Sequence, residues 1–442
     1  MTGVSLRLPQ RSHGFFAQAA MACVVLIPAT LLPIEAGAQA QTGSQSQIEA
    51  PRKGPDGLTF YDPPASTRPG QHGDLVWASE ITAGVPGAKA WKIMYWSSTL
   101  DGQPVPVSGL LIAPTAAAPA GGRPIISWAH GTAGIPRNCA PSMVDNPARD
   151  ATFYFLPNSS EAIDFGVPAL TRLIDAGYVV VATDYNGLGA PGIHQYLIGR
   201  TEARNVLDAA IAARQVPEVG AGLQAVVMGW SQGGQAAVWA AQIADYAADR
   251  MKVIGAVALA PVNVAEQIKV IERMVASGQQ LREMEAVERT MGWYAMTVTY
   301  PELKLSDVLT SVGLEFFAEA ARAGQCNHHM GDTYTYTESY KGPIARETPA
   351  NAEGWLRRYE ENSLGTVPAQ VPVAVFQGDD DVAVAPAATA AYVAKACASG
   401  TAISYTHYEA TDHIRLAARA QSDFLKWIAD RFGGQPAPRT CE

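Results

Sequence analysis

The chain has 442 residues, of which 17% are charged and 48% hydrophobic, enough apolar mass for a sizeable globular core of one large domain or two ordinary ones. Its formal net charge is −9 and its pI about 5.4, which argues against nucleic acid or anionic lipid as an electrostatic partner. Apolar contact with a lipid surface stays compatible with that balance.

The N-terminus reads as a processing segment. Arg7 and Arg11 form a weak basic region, and an apolar stretch follows from Phe15 to Pro33. Ala36-Gly37-Ala38-Gln39-Ala40 then offers small residues for cleavage after Ala40, so residues 1–40 are expected to be an export signal. An uncleaved anchor is the alternative, against which Pro28 and Pro33 interrupt the apolar run. Cys23 lies inside that run, away from a lipoprotein site. Removing residues 1–40 leaves Cys139, Cys326, Cys397 and Cys441, an even set that in an exported chain suggests two disulfides with three open connectivities.

Residues 41–70 are rich in Gln, Ser, Pro and Gly and read as a poorly ordered lead-in. Ala90–Ser98 and Val105–Ala113 flank Asp101-Gly102, a hairpin signal. From there short apolar runs alternate with helical patterns, the signature of a mainly parallel sheet covered on both faces. The runs are Pro124–Ala129, Tyr178–Thr183, Gln224–Met228 and Val253–Leu259, and the helices Ala203–Ala213 and Gln235–Ala248. Between about 263 and 345 the alternation gives way to helical patterns such as Val264–Ala276 and Leu281–Met291, with a strand-like Tyr/Thr stretch at Thr333–Thr337. It resumes with strand Val371–Gln377, helix Pro386–Ala396, strand Ile403–Tyr408 and a closing amphipathic helix, Ile414–Arg431. The expected organisation is an α/β core in two parts, 41–262 and 346–442, split by a helical insertion at 263–345.

Ser231 lies in Gly229-Trp230-Ser231-Gln232-Gly233, preceded by a strand and followed by an Ala-rich helix. A serine hydroxyl needs a base to take its proton and a turn that presents it. A strand–turn–helix with glycines on either side supplies the turn. Alone the five-residue pattern is weak; in this context it marks Ser231 as candidate nucleophile, an ordinary glycine-rich turn being the alternative. The elbow requires an acid and then a histidine in chain order. Asp381, beyond the strand end in Gly378-Asp379-Asp380-Asp381, is the candidate acid, and Asp379 and Asp380 read as solvated loop residues. Of the two later histidines, His407 falls within a strand and His413 in a loop, so His413 is the candidate base. Asp412 beside it reads as a helix cap.

A tetrahedral intermediate needs two N–H donors: Gln232, the residue after the nucleophile, and Thr132 or Gly131 in the His130-Gly131-Thr132 loop. His130 lies upstream of the acid and reads as loop structure. Cys326, His328 and His329 lack a further ligand at zinc-finger spacing, so no metal is expected, nor any cofactor. Asp184-Tyr185-Asn186-Gly187 reads as a structural turn at the active-site edge of the sheet.

Together these residues resemble the secretory lipase family of α/β-hydrolases. The shared pieces are His130-Gly131-Thr132, Cys139-Ala140-Pro141-Ser142, Asp184-Tyr185-Asn186-Gly187-Leu188-Gly189, the Gly229–Gly234 elbow, the Gly378–Asp381 acid loop and His413, across roughly residues 75–435. The resemblance implies an α/β-hydrolase fold with a helical cap over the site, and pairing of Cys139 with Cys326 and of Cys397 with Cys441. It also implies hydrolysis of acylglycerols or similar esters through an acyl-enzyme on Ser231. An acyltransferase using the same triad and a non-catalytic binding protein on the same fold are the competing readings. Two departures bear on substrate size: Asp379-Asp380 stand where the family often has Thr and a small residue, and Gln232 where many members have Gly. The second raises the expectation of a narrower acyl pocket.

Overall fold

The computed structural model describes residues 51–151, 166–279 and 281–441; the expected export signal lies outside them. Among the described residues nine strands form one sheet: β1 (Leu75–Ile81), β2 (Ala88–Ser98), β3 (Pro104–Pro114), β4 (Arg123–Ala129), β5 (Val179–Thr183), β6 (Ala221–Trp230), β7 (Lys252–Leu259), β8 (Val373–Gly378) and β9 (Ile403–Tyr408). Their order is β1-β2-β3-β5-β4-β6-β7-β8-β9. The β1–β2, β2–β3 and β3–β5 pairs are antiparallel and the rest parallel. The Asp101-Gly102 turn joins β2 to β3 as expected, with Gly102 at φ 83°, a left-handed conformation that glycine adopts without a steric penalty.

The inner parallel strands are apolar on both faces because helices cover both, whereas β9 at the edge is half exposed. Val227 on β6 packs into a core with α2 (Gly199–Ala213), α3 (Gln232–Gln242) and α10 (Pro386–Ala398). Its neighbours Val226 and Met228 face the opposite core, built with α1 (Leu170–Asp175), α11 (Leu416–Arg419) and α12 (Gln421–Phe432). This one-residue alternation is the pleat of a strand expressed as two cores.

The chain runs from β4 to β5 on one side, then crosses back to place β6 on the other side of β4. A crevice opens at such a reversal, at the carboxyl ends of the two strands. His130-Gly131-Thr132 leaves β4 there and Ser231 leaves β6 there.

Among the described residues six helices lie between β7 and β8: α4 (Val264–Ala276), α5 (Glu283–Thr299), α6 (Leu305–Val308), α7 (Ser311–Arg322), α8 (Asn327–Lys341) and α9 (Ala352–Glu361). They bury their own core, with Val287, Met291, Phe316, Met330, Trp355 and Tyr359 among its members. The helical region thus continues past residue 345, because α9 contributes Trp355 and Tyr359 to that core.

Three local expectations need correction. Thr333–Thr337 is helical within α8, where burial of Met330, Tyr334 and Thr337 follows a spacing of four and three. Tertiary packing there overrides the strand preference of Tyr and Thr. Residues 51–70 are not simply a loose lead-in, since Phe60 and Tyr61 are buried against Trp77 and Met94; residues 41–50 lie outside the described residues. The closing helix starts only at Leu416 and breaks at Ala420, since residues 411–415 form the loop that carries His413.

Candidate active site

Ser231 sits between β6 and α3 at φ 60°, ψ −118°, a conformation that L-residues rarely adopt. The turn is held from outside: Ser231 N–H donates to the Leu259 carbonyl at 2.9 Å and its own carbonyl accepts from Gln235 at 3.1 Å. The helix can then approach the sheet closely only if the flanking positions lack a Cβ. One on Gly229 would run into the Gly233 carbonyl, and one on Gly233 into that of Ala129.

His413 Nδ1 lies 2.7 Å from Asp381 Oδ2. Asp381 is buried, and its other oxygen accepts from the N–H groups of Ala383 (2.9 Å) and Val384 (2.8 Å). Gln377 donates to Oδ2 at 3.1 Å. The adjacent acids behave differently: Asp379 forms an exposed pair with His407 at 3.2 Å, and Asp380 is exposed. The His413 backbone carbonyl accepts from Trp230 Nε1 at 3.2 Å, and the two rings stack loosely with centroids 4.7 Å apart. Burial opposes charge on the imidazole, but the Asp381 carboxylate and its hydrogen bond outweigh it. Glu288 adds to them, Arg282 subtracts, and the histidine ends above its ordinary range.

Ser231 and His413 line one cavity of about 230 Å³, with Thr132, Trp230, Arg282, Glu288 and Asn327 among the other walls. Thr132 is the member of the Gly131/Thr132 pair that lines it, and its hydroxyl is 2.8 Å from Tyr196 Oη. A second cavity, about 70 Å³, adjoins it beneath the cap, with Val262, Val264, Ile268, Ile271, Trp293 and Met296 in its walls.

Gln232 opens α3 and is fully buried. Its side chain turns down, away from both cavities, so the expected narrowing of an acyl pocket does not arise from it. The amide nitrogen donates to Glu202 Oε1 at 2.7 Å and to His194 Nε2 at 3.1 Å. His194 can accept there because its Nδ1 donates to the Asn186 carbonyl at 3.1 Å, and burial keeps the ring neutral with a pKa lowered to about 3. Burial raises the Glu202 carboxyl to about 8, against the hydrogen bonds from Gln232 and from Leu197 N–H. The residue that follows Ser231 is therefore tied down by a neutral three-residue network.

His130 is loop structure as expected, buried with Nδ1 2.6 Å from the Gly131 carbonyl. Asp184 anchors the neighbouring turn by accepting from Ser108 Oγ at 2.6 Å and Ser142 N–H at 2.9 Å. Cys139 is bonded to Cys326 and Cys397 to Cys441, the pairing implied by the resemblance. The first bond joins the loop after β4 to the start of α8, so the Cys326 sulfur is not free to bind a metal. Among the described residues no helix is long and apolar enough to cross a membrane.

Glu202, His194, Glu288 and Asn327 escaped the sequence reading. For Glu202 a signal existed: with Asn205 and Asp208 it recurs every third residue along a helix otherwise dominated by Ala, Val and Leu. For Glu288 and Asn327 there was none, since both read as ordinary polar positions on helices.

A nucleophile-elbow turn at the carboxyl edge of a mainly parallel sheet, with a carboxylate-paired histidine and an inserted cap, defines an α/β-hydrolase. A family model described as "Secretory lipase" matches residues 157–439, and the chain belongs to that family. It is similar to a secreted triacylglycerol lipase of Malassezia globosa, 24% identical over 62% of this chain and 58% of that protein, so it spans less than two thirds of that relative. A probable inactive lipase of Mycobacterium tuberculosis is 21% identical over 85% of this chain and 82% of its own length. Lipase A of Candida antarctica in its closed state shares the fold, with a TM-score of 0.67 at 18% identity over 84% of each chain.

Proposed function

We propose that this protein is an exported carboxylic-ester hydrolase that works through an acyl-enzyme on Ser231. The carrying observation is the His413–Asp381 pair at 2.7 Å in the cavity that Ser231 lines from a constrained turn. In this reading His413 Nε2 takes the Ser231 proton as Oγ attacks the ester carbonyl, then gives it to the departing alcohol. Asp381 fixes the Nδ1–H tautomer and stabilises the imidazolium. Asp381 is itself held by two backbone N–H groups and Gln377, so its carboxylate stays aimed at His413. The oxyanion is received by the Gln232 N–H, at the amino end of α3, and by Thr132 from the loop after β4. Water repeats the cycle to release the acid. The apolar cavity beneath the cap suits the acyl chain of a lipid or similar ester.

Because one relative is described as a probable inactive lipase, turnover must be measured rather than assumed. Ser231→Ala should abolish hydrolysis of p-nitrophenyl butyrate with an unchanged far-ultraviolet circular dichroism spectrum. Undiminished turnover by that variant would sink the reading. Export is supported by the residue 1–40 pattern and the two disulfides. N-terminal sequencing of exported protein should begin at Gln41; a mature chain still starting at Met1 would refute cleavage.

A further inference from the structure

The two cavities share a wall. Glu285, Glu288 and Ala383 line both, so whatever passes from the catalytic cavity into the apolar one passes these residues. Their carboxyls are not equivalent. Glu285 is paired with Arg282 at 2.7 Å and caps the start of α5. Glu288, nearly one turn further along, takes a hydrogen bond from the Asn327 side chain, whose own Oδ1 is buried without a hydrogen-bond partner. Asn327 is in turn fixed beside the Cys139–Cys326 bond, with its N–H on the Ala133 carbonyl at 3.0 Å.

We propose that Glu288 is a specificity-determining residue: its carboxyl forms a polar collar that sets which acyl chains can extend from the catalytic cavity into the apolar cavity under the cap. This rests on the reading of Ser231 as nucleophile. A short acyl group ends before the collar and leaves the carboxylate its remaining hydration. A longer one must lay methylenes against it, stripping water from a charge, and that cost offsets the gain from burying the chain beyond. The enzyme therefore favours short acyl groups while Glu288 is ionised.

The collar also titrates. Burial and the neighbouring Glu285 raise the Glu288 carboxyl, His413, Asn327 and Arg282 lower it, and it settles at about 6. Arg289, the next residue along, also lines the apolar cavity, but its guanidinium lies over the Trp293 ring, 4.7 Å from the centroid. Below that range the collar is neutral and longer chains meet less resistance.

The test is the ratio of kcat/KM for p-nitrophenyl octanoate to that for the butyrate. Titration of His413 affects both esters alike and cancels in the ratio. Glu288→Leu should raise the ratio about tenfold, the scale of discrimination by contacts to a methylene. Glu288→Gln, which keeps the shape, should raise it by less, and the wild-type ratio should itself rise between about pH 8 and about pH 5. A ratio unmoved in the folded variants and with pH would overturn the collar. So would loss of butyrate turnover in Glu288→Gln to the Ser231→Ala level, which would put Glu288 in the chemistry instead. A turnover-free arm uses Ser231→Ala protein: decan-1-ol should raise its melting temperature more when Glu288→Leu is added, and an equal rise would count against the collar. If the wild type hydrolysed no ester, the functional reading would fall and this arm would still decide the inference.

Discussion

The sheet and the cap enclose the same cavity with different kinds of structure. On the sheet side, Ser231, Gln232 and Asp381 are buried and each is fixed by several hydrogen bonds from neighbouring strands and turns. On the cap side, helices bury an apolar cluster between them that also takes in Ile135, Tyr196 and Ile198 from the core loops. Ties to the core include the Cys139–Cys326 bond, Asn327 N–H on the Ala133 carbonyl at 3.0 Å, Arg282 on the Val382 carbonyl at 2.7 Å, Gln267 bridging Ala383 and Ala385, and Gln235 on the Asn362 carbonyl at 2.9 Å. The groups proposed for bond breaking thus sit on the sheet half, and the group proposed to sort substrates, Glu288, sits on an inserted helix.

Removing a sheet-side hydrogen bond to His413 should have the largest effect. Asp381→Asn keeps the shape of the acid but offers an amide where the imidazole Nδ1–H must donate, selecting the wrong tautomer. Turnover should fall about 10⁴-fold, as in triads where the acid is neutralised. Measured as kcat at saturating butyrate ester, a loss of less than about tenfold would assign the acid role elsewhere, with Asp379 the next residue to test.

How much of this contrast could be read from sequence follows from the same physics. Parallel strands covered on both faces are continuous apolar runs, so β4 to β8 were visible; β9, an edge strand, was visible as a run of β-branched and aromatic residues, and the order of Ser231, Asp381 and His413 could be read too. Strand β1, Leu75–Ile81 at the other edge, carries Ala78, Ser79 and Glu80 mid-strand, and these weaken the strand signal. The cap was harder. Its helices bury faces against one another, so periodicity gave helices without their arrangement, and it gave the wrong type for Thr333–Thr337. Gln232 shows the sharpest limit. Its size suggested a constricted pocket, but its direction depends on Glu202 and His194, thirty and thirty-eight residues earlier in the chain.

That network supplies the smaller test, on stability instead of rate. In the folded protein the Glu202 carboxyl titrates at about 8, against an ordinary value of 4.5 in the unfolded chain. Between those values the folded state holds a proton that the unfolded state has released. The contribution of Glu202 to stability is therefore fully present below about 4.5 and falls by roughly 1.4 kcal/mol per pH unit across the window, until the folded carboxyl itself ionises. Glu202→Gln removes the titration but keeps an oxygen that can accept from Gln232. Denaturant midpoints of variant and wild type should therefore diverge as pH rises from about 5 to about 8, in favour of the variant. Parallel curves would mean that Glu202 is not held neutral under the elbow. If they diverge as expected while kcat is retained, the sheet-side anchor of Gln232 depends on the neutral hydrogen bond, not on a buried charge.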